Sequence, residues 1–245
     1  MREKLVMIPG TLCDALLFGP QLEGLSDFVD CTVVDNASAE ALPQVARNIL
    51  DEVAGKITVM GLSYGGIIAF EMWRQEPERI ENLILLNTTH KLPSVTTRTN
   101  QERFVGMAEL GNFKKITTDF LKDVMLHPDH AKQPQLRTLI LQMALNTGKD
   151  AFIRQVKAQL GRPDSTQDLM NIICPTLLMT GRQDQVCTVA IHEEMERLMP
   201  SSTLKIIEYC GHLSTLEQPQ EVNEVIRKWW HEHSSYAKKP SQKYP

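Results

Sequence analysis

Gly61-Leu62-Ser63-Tyr64-Gly65-Gly66 sets a serine between glycines, where the apolar run Ile57-Thr58-Val59-Met60 gives way to a helical pattern beginning near Tyr64. A serine held in a sharp strand-to-helix turn carries backbone strain of about 1–3 kcal/mol. Such a turn exposes the hydroxyl at a helix N-terminus, where the dipole favours developing negative charge. It closes only if the residues two positions away on each side are nearly free of side chain, as Gly61 and Gly65 are. A hydroxyl is a poor nucleophile at neutral pH and needs a base, which in turn needs an orienting acid. Gly211-His212 follows the strand-like run Thr203–Ile207, and Gly181-Arg182-Gln183-Asp184 follows the strand-like run 175–179. One helix and one strand separate Asp184 from His212, which returns the chain to the same sheet edge. These positions predict Ser63 as nucleophile, His212 as base and Asp184 as the acid that holds His212. Asp35 also ends a strand and is the competing acid; it ranks second because it comes too early for the chain order Ser, Asp, His.

Acyl transfer puts negative charge on the former carbonyl oxygen, and fixed N–H donors there contribute roughly 3 kcal/mol each. The amide of Tyr64, just after the serine, is one expected donor. The other is expected from the loop Pro9-Gly10-Thr11-Leu12, with the amide of Thr11 or of Leu12. A histidine acts as base only when neutral, so the rate is expected to rise through neutral pH. No cofactor or metal is needed for this chemistry.

Short apolar runs alternate with helical patterns along the chain. Strands are expected at 5–8, 31–34, 57–60, 80–86, 175–179 and 203–207. Helices are expected over 15–25, 64–75 and 189–199, with amphipathic stripes through Leu42, Val45, Ala46, Ile49, Leu50 and Val53 and through Val222, Val225, Ile226, Trp229 and Trp230. This is the pattern of an α/β fold: a mostly parallel sheet of about six strands with helices on both faces. From about Pro93 to Ser165 the rhythm becomes helical with no convincing strand. The expected organisation is a core of 1–92 and 166–233, a helical cap of 93–165 over the strand ends, and a disordered polar tail of 234–245.

A formal charge of −4 over 245 residues gives no concentrated basic surface, so nucleic acid is not an expected partner. No apolar run approaches the roughly 20 residues that cross a bilayer. The charged start Met1-Arg2-Glu3-Lys4 does not read as a secretory signal. The five cysteines are scattered, without zinc spacing, and read as free thiols of a cytoplasmic protein. Oligomeric state is not legible.

The segments Ile8-Pro9-Gly10-Thr11-Leu12-Cys13-Asp14, Gly61-Leu62-Ser63-Tyr64-Gly65-Gly66, Arg74-Gln75-Glu76-Pro77-Glu78-Arg79-Ile80, Gly181-Arg182-Gln183-Asp184 and Cys210-Gly211-His212-Leu213-Ser214 resemble the α/β-hydrolase superfamily, in the branch of carboxylesterases and 3-oxoadipate enol-lactonase-like enzymes. The resemblance covers nearly the whole chain apart from the tail and is weakest in the insertion. It implies a cap over an α/β core and supports the roles given to Ser63, Asp184 and His212. Many members carry His-Gly where this chain has Pro9-Gly10; the first run read as a strand is the one before that loop, so the usual first antiparallel hairpin is not expected and a reduced sheet of about six strands is. Members that are haloalkane dehalogenases or epoxide hydrolases use an aspartate nucleophile, against which Ser63 argues.

The expected function is therefore cleavage of a small-molecule ester, thioester or lactone through an acyl-enzyme. C–C bond hydrolysis, acyl transfer, perhydrolysis and non-catalytic ligand binding remain open on the same residues. Phe104, Met107, Leu110, Phe113, Phe120, Leu121, Met125, Met143 and Phe152 are the larger apolar residues of the insertion; most are expected to pack it, with two or three lining an acyl pocket. The insertion carries eleven Lys and Arg against seven Asp and Glu. Solvated helix faces explain that excess most simply, with a preference for anionic substrates as the sharper alternative.

Overall fold

A computed structural model describes residues 2–116 and 125–233. The apolar runs form β1 (Lys4–Ile8), β2 (Asp30–Val33), β3 (Ile57–Leu62), β4 (Ile80–Leu86), β5 (Thr176–Gly181) and β6 (Ser202–Ile207). They pair in the order β2-β1-β3-β4-β5-β6, and every neighbouring pair is parallel. The sheet is thus wholly rather than mostly parallel. Parallel neighbours need a crossover, and helices Gly19–Leu25, Leu42–Glu52, Tyr64–Gln75 and Val189–Leu198 provide it.

Alternation within each strand explains why the strands read as unbroken apolar runs. Val6 and Ile8 of β1 face a core layer with Leu42, Ile49 and Met72, whereas Leu5 and Met7 face a second layer with Phe18, Ile226 and Trp230. Both faces are covered, so neither set of side chains meets water. The helix expected over 15–25 is divided into a 3-10 turn, Ala15–Phe18, and helix Gly19–Leu25. Pro20 lies in the first turn of the second piece, where its missing N–H forfeits no hydrogen bond.

The register brings strand ends level: Ile8 pairs with Gly61, Leu62 with Leu86, Leu86 with Met179, and Gly181 with Ile207. The loops that follow β1, β3, β4, β5 and β6 therefore meet at one edge. Between β4 and β5 the described elements are helical, chiefly Val95–Met107 and the long helix Pro134–Leu160, which bends at Gly148 (φ 75°). Met143 is buried in the second core layer, but Leu110 is 81% exposed. Phe120, Leu121 and the tail 234–245 lie outside the described residues. All five cysteines are free thiols. No helix among the described residues is long and apolar enough to cross a membrane.

Candidate active site

Ser63 follows β3 with φ 56° and ψ −113°, and helix Tyr64–Gln75 starts at the next residue. Its N–H donates to Leu86 O at 2.9 Å, and its carbonyl accepts from Thr88 Oγ1 at 2.7 Å. A side chain at position 61 would collide with the backbone of Gly65, and one at position 65 with the Ile8 carbonyl. Two glycines thus let β1, β3 and the helix start approach closely enough for this turn.

Beneath the turn lies a residue that sequence reasoning missed. The buried His192 accepts from the Thr88 amide at Nε2 (3.2 Å), and its Nδ1 donates to Thr188 O (3.1 Å). Burial lowers its pKa to about 4. The unfolded chain therefore takes up a proton below about pH 6.5 that the folded chain refuses, so stability falls as pH falls from there toward 4. The span corresponds to a loss of ~3 kcal/mol. Denaturant titrations at pH 7 and pH 4.5 are expected to show this loss, and His192→Gln, which keeps an acceptor for Thr88, to reduce it. Equal acid sensitivity in both proteins would remove His192 as the cause.

Asp184 and His212 meet in the interior, 4% and 1% exposed. Asp184 Oδ2 lies 2.8 Å from His212 Nδ1 and also accepts from Asn87 Nδ2 at 2.9 Å. Oδ1 accepts from the amides of Val186 and Cys187 at 2.8 and 2.9 Å. Burial alone would raise the Asp184 pKa, but the charge and hydrogen bond of His212, with the Asn87 and Cys187 donors, outweigh it and hold it below the ordinary aspartate value. An ionised carboxylate only accepts, so whenever the His212 ring is neutral its proton sits on Nδ1 and Nε2 carries the free lone pair. Asn87 follows β4 with φ 47°, and its Oδ1 accepts from Ser214 Oγ at 2.6 Å. From sequence, it reads only as a residue tolerant of a tight turn. The competing acid, Asp35, instead accepts from the Ala37 amide and lines a separate cavity with Asp14 and Asn146.

The loop bearing His212 is gripped from below. Glu217 Oε1 accepts from the amides of Gly211 (3.0 Å) and Leu213 (3.1 Å), on either side of the histidine. Its Oε2 accepts from the His127 amide at 2.7 Å and lies 2.9 Å from His130 Nδ1. The His212 amide donates to Met125 O at 2.8 Å. Sequence reasoning missed Glu217 too: the Ser-x-x-Glu spacing of Ser214 and Glu217 suggests a capping box, but Leu213 is the N-cap and Ser214 Oγ donates to Asn87 instead.

The loop after β1 shows which amides are available. Asn36 Nδ2 donates to Pro9 O and Gly10 O, and Asn36 Oδ1 accepts from Gln155 Nε2 at 2.7 Å. Gln155 Oε1 accepts from the Leu12 amide at 3.1 Å. That N–H has a buried partner before any substrate arrives, so Thr11 is the better placed of the two loop candidates. Tyr64, at the first position of its helix, has an amide with no intrahelical acceptor.

Ser63 and His212 line one cavity of about 320 Å³, with Thr11 on one wall and Phe104, Met125 and Phe152 on another. Three apolar residues of the insertion thus share the cavity with the serine, while Phe113 packs on Phe152 at a 47° tilt, ring centroids 5.7 Å apart.

A model described as the Alpha/beta hydrolase family matches residues 5–225. The chain is 24% identical over 233 residues to a pimeloyl-[acyl-carrier protein] methyl ester esterase of Nitrosomonas europaea, covering 89% of this chain and 91% of that protein. It is 24% identical over 207 residues to 3-oxoadipate enol-lactonase 1 of Acinetobacter baylyi, covering 83% and 73%. Among solved structures, a thermophilic esterase from Thermogutta terrifontis superposes with a TM-score of 0.84 at 26% identity, covering 95% and 91% of the two chains.

Proposed function

Since the chain belongs to the alpha/beta hydrolase family, we propose that it is a serine hydrolase cleaving small-molecule esters, thioesters or lactones through an acyl-enzyme on Ser63. The observation that carries this reading is the buried pairing of Asp184 with His212 Nδ1 beside a cavity that His212 shares with Ser63. The relatives named as a methyl ester esterase and an enol-lactonase point to the same bond class.

In this reading His212 Nε2 takes the proton of Ser63 Oγ as that oxygen attacks the carbonyl carbon. Asp184 holds the tautomer and stabilises the imidazolium that forms. The amides of Tyr64 and Thr11 hold the tetrahedral oxyanion. Collapse breaks the bond to the leaving oxygen or sulfur, which takes the proton from Nε2. Water, deprotonated by His212, then attacks the acyl-enzyme; the bond to Ser63 Oγ breaks, that oxygen takes the proton back from Nε2, and the acid is released. Residues 93–165 act as the cap that closes the cavity over the core of 1–92 and 166–233, with Phe104, Met125 and Phe152 against the apolar part of the substrate.

An ester, thioester and lactone panel, run beside fluorophosphonate labelling, tests this. Ser63→Ala is expected to abolish labelling and to lower kcat/KM by at least about ten-thousand-fold. Labelling and turnover that survive the substitution, or a folded wild type that never labels, would refute the proposal.

A further inference from the structure

We propose that Arg162 binds a carboxylate of the substrate beside Ser63, so that the preferred substrates are monoesters of dicarboxylic acids with the second acid group free. This rests on the reading of Ser63 as nucleophile.

A second cavity of about 280 Å³ opens from the same serine and shares Ser63, Thr97, Gln101, Gln159 and Val186 with the first. The first has its larger apolar side chains in Leu62, Phe104, Met125, Phe152 and Leu213; the second is lined by Arg162 and Lys91 among aliphatic neighbours. Arg162 is only 8% exposed. Its two terminal nitrogens donate to Gln159 O (3.0 Å) and Lys91 O (2.7 Å), which are neutral acceptors. Among the described residues its buried Nε–H has no hydrogen-bond partner, and Gln101 Oε1, on the wall common to both cavities, has none either.

No carboxylate among the described residues lies within ion-pairing distance of Arg162. Asp164 acts on it through charge, but its oxygens accept from the amides of Thr166 and Leu92, and it does not line the cavity. Lys91, the other cation at this cavity, is paired with Glu194 at 2.6 Å. A buried cation without a counter-ion is costly unless something else supplies the negative charge. Burial lowers the Arg162 pKa, yet a guanidinium stays charged in proteins. A carboxylate meets its requirements: it is planar, accepts from Nε–H, and delivers the missing charge.

His212 borders the apolar cavity and not the one that holds Arg162. The leaving oxygen, which takes its proton from His212, therefore lies toward the apolar cavity. The acyl part extends toward Arg162, which assigns the free carboxylate to the acid component.

Monobutyl glutarate and dibutyl glutarate, compared at one pH, test the assignment. The wild type is expected to favour the monoester in kcat/KM by at least about tenfold. Arg162→Met is expected to bring that ratio close to one, and Arg162→Lys to retain part of it. A ratio taken within one preparation is independent of the folded fraction, so loss of the Arg162 bonds to the backbone does not blur it. A wild-type ratio of one or below, or a ratio unchanged in Arg162→Met, overturns the proposal. Calorimetric binding of glutarate to Ser63→Ala, expected to weaken at least about tenfold when Arg162→Met is added, separates this inference from the nucleophile assignment. Hydrolysis that persists in Ser63→Ala defeats the nucleophile alone, whereas glutarate binding indifferent to Arg162 defeats the anion site alone.

Discussion

Asp184→Asn is expected to lower kcat by about ten-thousand-fold while the protein stays folded. The carboxylate sits in a fully specified donor field: Val186 and Cys187 amides on Oδ1, His212 and Asn87 on Oδ2. In the variant the amide oxygen stays on the two backbone donors, which leaves NH2 facing His212 Nδ1 and Asn87 Nδ2. Asn87 can turn its amide toward Ser214 Oγ, which donates to it now and accepts equally well, at the loss of its 3.1 Å hydrogen bond to Gly211 O. His212 has only one way to avoid donor against donor: it moves its proton to Nε2. The nitrogen that should receive the Ser63 proton is then occupied. The shape of the site barely changes, so the thermal midpoint should stay within a few degrees while turnover and fluorophosphonate labelling collapse together. Turnover above one tenth of wild type would show that Asp184 does not set the tautomer.

Glu217→Ala is expected to impair stability and turnover at once. Its side chain is wholly buried and gathers the amides of Gly211, Leu213 and His127 with His130 Nδ1. Removing the acceptor leaves at least three buried donors unmatched, at about 1–3 kcal/mol each before relaxation. A net loss of about 3–5 kcal/mol follows, near the upper end for single substitutions, and lowers the thermal midpoint by roughly 10 °C or more. The two amides on Oε1 flank His212, so their release also loosens the imidazole. A displacement near 1 Å costs about a hundredfold in rate, and the loss should fall on kcat more than on KM. Glu217→Gln keeps one acceptor oxygen and should lie between. A thermal midpoint and kcat both unchanged in Glu217→Ala would show that the loop holds its shape without it.

The α/β class and the positions of Ser63, Asp184 and His212 on that framework were legible in the chain alone. Apolar runs of strand length alternating with helical stripes encode a doubly covered parallel sheet, because the period of side-chain burial is a local property. The serine turn is legible for the same reason: Gly61 and Gly65 lie within two residues of Ser63, and the helix they permit begins at once. Asp184 and His212 follow successive strand runs, and parallel strands carry both to one edge.

What surrounds these residues was not legible. Asn87 reaches Asp184 across 97 positions and Gln155 reaches the Leu12 amide across 143. His192 buttresses the turn through Thr88, 104 residues earlier. In isolation each is an ordinary polar residue, a turn asparagine or a helix glutamine or histidine, and nothing in its neighbours marks it for burial. Strand order and the seating of helix Pro134–Leu160 decided which of them face a donor in the interior. Once buried, a polar group must find a partner or bear the full desolvation cost, and only three-dimensional proximity determines which partner that is. The same seating committed the Leu12 amide to Gln155 and left Nε of Arg162 without an acceptor among the described residues.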